Sequence, residues 1–271
     1  MTEDQFTVTV EVVPPSGPDA APLLTALEPL AGLNFNAFSV ATNPVAKPRM
    51  SAMALCSLLR KKTGKPAILH CTTRDQNRLS LQAMLWGARA LGIETVLIAT
   101  GDVIALGDRA HTTGVRDLDV FDLVRLAREA KLRTGVVFDT HPESNGLAEA
   151  VRRLAGKIEA GAQFAVTQPV YDEASADQLI EATHAINIPI IMGILPLRTP
   201  RHAEFLHHKV AGIAVPQPVR IRMQRAADPV AEGAANAGEM LAVARSRFAG
   251  ACLMPPFDHY EVLFDILKDN R

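Results

Sequence analysis

Short apolar runs rich in Val, Ile and Thr recur along the chain at residues 7–13, 37–42, 67–73, 95–100, 134–138, 164–168, 188–194 and 251–254. Runs of this length and β-branched content read as buried strands. Between them apolar residues return every three or four positions, which predicts helices over 50–62, 79–91, 120–130, 147–160, 176–186, 201–210 and 239–247, with one more at 260–268. Eight βα units with no Ser/Gly-rich linker and no break in composition predict an α/β protein, a single (β/α)8 TIM barrel spanning 1–271 as one domain. A doubly wound open sheet is the competing arrangement, disfavoured because no GxGxxG follows any strand. The stretch 212–222 (GIAVPQPVRIR) breaks the periodicity and reads as a long loop leading into a helix before the last strand.

Composition changes this picture little. With 271 residues, 48% hydrophobic and 21% charged, the chain can bury one large core. Its 28 Lys and Arg residues against 29 Asp and Glu leave a formal net charge of -1, and their scatter offers no basic face to nucleic acid. Three cysteines, Cys56, Cys71 and Cys252, lie far apart without a CxxC pair, so neither a disulfide framework nor a metal site is expected. The N-terminus is acidic without an apolar signal core, and no run approaches the ~18 apolar residues of a membrane span. The expectation is a cytoplasmic protein with no membrane partner.

In a barrel of this kind the chemistry lies where the strands end. Glu11 is a lone carboxylate in the apolar run TVTVEVV, just before Pro14 and Pro15. Buried there it would carry a raised pKa and could hold a proton for catalysis; on an edge strand it would simply face solvent. Polar residues recur at the other strand ends: Thr42 and Asn43; His70, Thr72 and Arg74; Thr100, Gly101 and Asp102; Asp139 and His141; Thr167 and Gln168; Asp258 and His259. Loop polarity explains any one of these, but several interrupt apolar runs instead of following them.

Eight segments, in order over nearly the whole chain, carry a resemblance. They are VEVVPP at 10–15, NPVAKPRMS at 43–51, HCTTRDQN at 70–77, ATGD at 99–102, THPE at 140–143, KIEAGAQFAVTQPVYD at 157–172, GILPL at 193–197 and LMPPFDHYE at 253–261. With them the chain resembles the methylenetetrahydrofolate reductase family, in particular the reductase half of the bifunctional homocysteine S-methyltransferase/methylenetetrahydrofolate reductase proteins. The resemblance implies a barrel that holds FAD, takes hydride from NADH or NADPH and reduces 5,10-methylenetetrahydrofolate to 5-methyltetrahydrofolate.

On that resemblance Glu11 matches the general acid, and Asp102 the aspartate beside the flavin pyrimidine edge and the pterin. Gln168 matches the folate-binding amide, with His202 and His259 set toward the aminobenzoyl and glutamate parts of the substrate. Thr42, His70, Thr72, Thr100, Gly101, Asp102 and Lys157 fall at cofactor positions, Lys157 near the FAD phosphates. Departures stand beside these matches. Gly156 replaces a cation, Ala150 and Arg153 occupy positions that are Asp and Asn in some members, and His259 stands where some use Arg. Those departures keep open a flavin-independent hydride transfer and a catalytically silent folate-binding barrel. A homo-oligomer and an electron-donor partner subunit are also left open.

Overall fold

The structure, a computed structural model, describes residues 5–140, 146–210, 212–256 and 259–267. Eight strands, β1 (Thr7–Val12), β2 (Ala37–Val40), β3 (Ala67–Thr72), β4 (Thr95–Ala99), β5 (Arg133–Phe138), β6 (Phe164–Pro169), β7 (Ile190–Ile194) and β8 (Gly250–Leu253), pair in chain order. The β8 strand closes on β1 in parallel register, Thr9 opposite Cys252. All eight strand expectations are borne out to within two residues, and the (β/α)8 barrel with them.

Strand alternation divides the core into two shells. Val10, Val12, Phe38, Val40, Val96, Ile98 and Met192 face outward and pack under the helices. Ala37, Ile68, Leu97, Phe164, Val166, Ile191 and Cys252 fill the barrel interior. Gly135 is required there: a Cβ on it would lie 2.2 Å from the Phe164 ring, so the small residue on β5 makes room for the large one on β6.

The outer layer consists, among the described residues, of α1 (Ala21–Leu27), α2 (Ala52–Thr63), α3 (Arg78–Ala90), α4 (Val120–Glu129), α5 (Gly146–Glu159), α6 (Glu173–Ala182), α7 (Pro200–Lys209), α8 (Gln217–Arg225), α9 (Pro229–Arg247) and α10 (Val262–Leu267). Asn77, Asp119, Asp172 and Thr199 each accept a backbone N–H at the start of α3, α4, α6 and α7, fixing where those helices begin. The expected loop over 212–222 is corrected in its second half. Helix α8 begins at Gln217 with Pro218 in its first turn, where the missing N–H costs nothing. Helix α9 also starts ten residues before the expected 239, where Asp228 accepts from the N–H groups of Val230 and Ala231. Together α7, α8 and the β7–α7 loop bury a second small core around Tyr171, Leu197, Leu206, Val219 and Met223.

Candidate active site at the barrel mouth

Glu11 sits on the inner face of β1, level with Ser39 on β2, while its neighbours Val10 and Val12 are buried outward. Burial pushes its carboxyl up to about 7, and the charge of Asp102 adds to the shift. Cys252 on β8 registers the same carboxylate: its thiol is pushed up to about 12, by burial first and then by Glu11. Next to Glu11 around the barrel, Ser39 Oγ lies 2.7 Å from His70 Nε2, and burial lowers His70 to about 4, so the imidazole stays neutral. Thr42 Oγ1 donates to the His70 carbonyl at 2.5 Å.

The loops that follow β2, β3 and β4 are tied together by Arg74, which is 9% exposed. Its guanidinium donates to both oxygens of Asp75, to the Asp102 carbonyl at 3.0 Å and to the Asn43 carbonyl at 3.1 Å. Asp75 also accepts from Asn43 Nδ2 and from Thr72 Oγ1. Burial opposes its ionisation, yet the bonds from Arg74, Asn43 and Thr72 win and hold its carboxyl below the ordinary value. Over this frame the backbone is strained. Asn43, Val45 and Ala46 have φ of 42°, 50° and 55°, unusual for residues with a Cβ and most costly for β-branched Val45. The Val45 N–H donates to Asp102 Oδ2 at 2.5 Å, so the strained turn holds the Asp102 carboxylate in place. Thr100 and Asp102 are exposed at the rim, and Gly101 between them turns with φ of 86°.

On the other side of the mouth the groups come from β5, β6 and α5. Gln168 lies where the β6–β7 register shifts between Val166 and Pro169, an irregularity that re-aims strand-end side chains. A Cβ placed on Gly212 would be 3.4 Å from Gln168 Nε2 and 3.5 Å from Asp139 Oδ1, so amide and carboxylate border the same point. Lys157 is turned inward from α5 and donates to the Val137 carbonyl at 2.6 Å. Its ammonium is lowered to about 8, by burial first and then by Arg153, against the opposing charge of Asp139. Gly156 packs against Phe121, whose ring would be 3.0 Å from a Cβ there, so a larger side chain in its place requires that ring to shift.

The two histidines assigned to substrate differ in setting. His202 is buried, accepts the Arg198 N–H on Nδ1 at 3.3 Å and is lowered to about 4 by burial, with Arg198 adding. His259 is at the rim with Nδ1 2.7 Å from Glu261 Oε1. His141, Pro142, Glu143 and Asp258 lie outside the described residues. Among the described residues no group of three His, Cys, Asp or Glu forms a metal site, and no helix is long and apolar enough to cross a membrane. A hollow between α9 and α10, lined by Gly238, Leu241, Arg245 and Asp265, lies on the outer helical layer, apart from the strand-end groups.

The mouth thus unites Glu11, Ser39, His70, Thr72, Arg74 and Asp102 on one side, with Asp139 and Gln168 on the other. Sequence reasoning gave Arg74, Asp75 and Asn43 no role and left Ser39 unnamed, because their importance lies in bonds between loops distant in the chain. The one available signal was an Arg followed at once by Asp just after a strand.

For a flavin, the residues fit best at the ring. Thr42, His70, Thr72, Thr100, Gly101 and Asp102 line one continuous rim over β2 to β4, and a neutral imidazole with a fixed carboxylate suits a flat heteroaromatic edge. At the phosphate end Lys157 is committed to a strand carbonyl, leaving Arg153, exposed on the same helix, as the available cation.

Fold and site define a TIM barrel with a buried carboxyl, that of Glu11, at its mouth. Residues 1–245 match the model of the methylenetetrahydrofolate reductase family, and the chain belongs to that family. Among its curated relatives, the 5,10-methylenetetrahydrofolate reductase of Buchnera aphidicola (Schizaphis graminum) is 26% identical over 199 residues, covering 72% of this chain and 66% of that one. The enzyme of the same name from Pectobacterium carotovorum is 26% identical over 201 residues, covering 72% and 65%. The chain therefore aligns with about two thirds of the length of these relatives. A solved structure, an uncharacterized protein from Clostridium thermocellum described as binding two copies of 5-methyl-5,6,7,8-tetrahydrofolic acid, superposes with a TM-score of 0.73 at 14% identity, covering 98% of this chain and 94% of that one. At that identity the likeness is one of fold.

Proposed function

We propose that this chain reduces 5,10-methylenetetrahydrofolate to 5-methyltetrahydrofolate, with NADH or NADPH as the hydride source and Glu11 as the proton donor. The observation that carries the reading is a carboxyl of pKa about 7 in the barrel mouth of a chain from this family. A group that titrates at the working pH is half protonated there and transfers its proton readily, which is what a general acid requires.

The proton of Glu11 goes to N10 as the bond between N10 and the bridging methylene breaks, leaving an iminium on N5. Hydride then adds to that carbon and makes the methyl group, the nicotinamide is oxidised by two electrons, and Glu11 regains its proton from solvent. Asp102 serves twice. Its charge disfavours ionisation of Glu11 before the transfer, and as a fixed anion it favours the cationic iminium afterwards. The Gln168 amide, with donor and acceptor together, suits the pterin edge. His202 and His259 are assigned toward the aminobenzoyl and glutamate parts of the folate.

FAD would rest its ring on the β2–β4 rim and its phosphates beside Arg153, and when bound would carry hydride from nicotinamide to folate. One observation favours a second reading, hydride transfer directly from the nicotinamide: the inward bond of Lys157, which removes the expected phosphate cation. Assay of the purified protein with methylenetetrahydrofolate and NADH or NADPH, with and without added FAD, decides between them. Formation of 5-methyltetrahydrofolate that depends on FAD, with a visible flavin band in the protein, is expected. Full turnover without flavin moves the reading to direct transfer, and no turnover in any arm refutes the assigned reaction.

A further inference from the structure

We infer that Arg198 is a further substrate-recognition residue, its guanidinium binding the glutamate carboxylates at the tail of the folate; this rests on the folate reading above. Arg198 lies half-buried in the loop between β7 and α7, at the end of the barrel where the strands finish. Pairing of β7 with β8, Ile194 opposite Leu253, brings this loop beside the segment that carries His259 and Glu261. The Arg198 charge is felt on both sides of that junction. Burial first and then Arg198 lower the His202 ring. At Glu261 burial opposes ionisation, but bonds from its own backbone N–H and from His259, with the charges of His259 and Arg198, hold the carboxyl below its ordinary value. The Arg198 backbone N–H donates to His202, whereas the guanidinium makes no ion pair and no hydrogen bond among the described residues.

A tail with two carboxylates calls for a cation at this rim, and the neighbouring groups do not supply one. His259 Nδ1 lies 2.7 Å from the Glu261 carboxylate, which when ionised can only accept, so Nδ1 carries the proton and the neutral ring turns a lone pair outward on Nε2. Lys47 pairs with Asp108, Arg74 with Asp75, and Lys157 donates to the Val137 carbonyl. Arg49 is the other loosely held guanidinium, with Nη1 3.5 Å from the Pro14 carbonyl and Nε unpartnered, but it stands on the β1–β2 side. Arg198 is the one beside His202 and His259. Its planar fork can meet a carboxylate with two parallel N–H groups. The first turn of α7, which follows at once, contains no acidic residue, so its positive end adds in the same sense.

The test is calorimetric titration of 5-methyltetrahydrofolate and of its diamide, in which both glutamate carboxylates are neutral carboxamides, into wild type, Arg198→Gln and Arg49→Gln, with FAD present throughout. Wild type should prefer the natural ligand by roughly 10-fold, the value of charge-assisted hydrogen bonds in a half-buried setting. Arg198→Gln should weaken the natural ligand by that factor and leave the diamide nearly unchanged, which also shows that the variant is folded. Arg49→Gln should keep the preference. A wild type that binds both ligands equally, or a preference that survives Arg198→Gln, overturns the inference and leaves the folate reading standing. So does a preference that collapses equally in Arg49→Gln, since the effect would then be one of overall charge. A wild type that binds neither ligand overturns both.

Discussion

Five residues from the ends of β2, β3 and β4, Asn43, Thr72, Arg74, Asp75 and Asp102, are tied together through Arg74 and Asp75 on the β1–β4 side of the mouth, whereas on the β5–β8 side Asp139 directly follows β5, Gln168 lies in β6 and His259 lies beyond β8. The first side also carries the cost of its geometry, three residues with a Cβ at positive φ over a buried Arg74. Fixed dipoles and charges are what a charge-developing step needs, because they do not reorganise during reaction. Recognition of a ring and a tail needs complementary groups at the right places, and these can be supplied one strand at a time. On the proposed reading the barrel keeps the two requirements apart by assigning them to different strands.

The most severe way to break the comparison is to remove the proton from the rigid side. Glu11→Gln keeps the shape and abolishes the acid, so reduction of methylenetetrahydrofolate should fall by the ~10²–10⁴-fold typical of general acid catalysis. Oxidation of NADH or NADPH by an artificial electron acceptor needs no N10 proton and should survive if flavin is bound. Steady-state assays of both reactions check this, and unchanged folate turnover would remove Glu11 from its role.

A smaller effect measures the rigidity itself. Arg74→Met leaves Asp75 without its cation and releases carbonyls of two loops, and should lower stability by about 2–3 kcal/mol, as expected for breaking a largely buried pair. Lys157→Met on the other side loses one bond to a single strand carbonyl and should cost about 1 kcal/mol. Urea unfolding of both variants gives the ranking. If Lys157→Met proves the more damaging, the assignment of rigidity to the β1–β4 side is wrong.

What was legible in the sequence follows from how far each interaction reaches along the chain. Strands announced themselves through local runs such as TVTVEVV, and Glu11, His70, Asp102 and Gln168 could be named because they interrupt or end such runs. Helix α8 was hidden because Pro216 and Pro218 read as loop, although prolines are tolerated at a helix start. The first half of α9 was hidden by Gly233, a residue of poor helix propensity that is needed because a Cβ there would come within 1.7 Å of the Leu197 carbonyl. Lys157 was expected at phosphates because its helix position is all that the sequence gives; its inward turn depends on Val137, twenty residues away. Asp139 was visible as a strand-end carboxylate, but its nearness to Gln168 needed the closed barrel.

The gentlest probe asks what the acid costs the fold. Glu11 has a native pKa of about 7 against an ordinary value of 4.5, so between those two pH values the native state binds more protons than the unfolded chain. Stability from this group is therefore fully present below 4.5 and is lost as pH rises to about 7, after which the loss is constant. The full shift would correspond to about 3 kcal/mol, and since the carboxyl opens partly to the mouth the measurable part should be about 1–2 kcal/mol. Glu11→Gln cannot ionise and should escape that loss. Relative to wild type it should gain stability steadily from pH 4.5 to 7 and hold the gain at pH 8. Chemical denaturation of the two proteins across that range gives the difference curve. A flat curve would mean that Glu11 ionises as it does in water, leaving the mouth without an acid tuned for proton transfer near neutral pH.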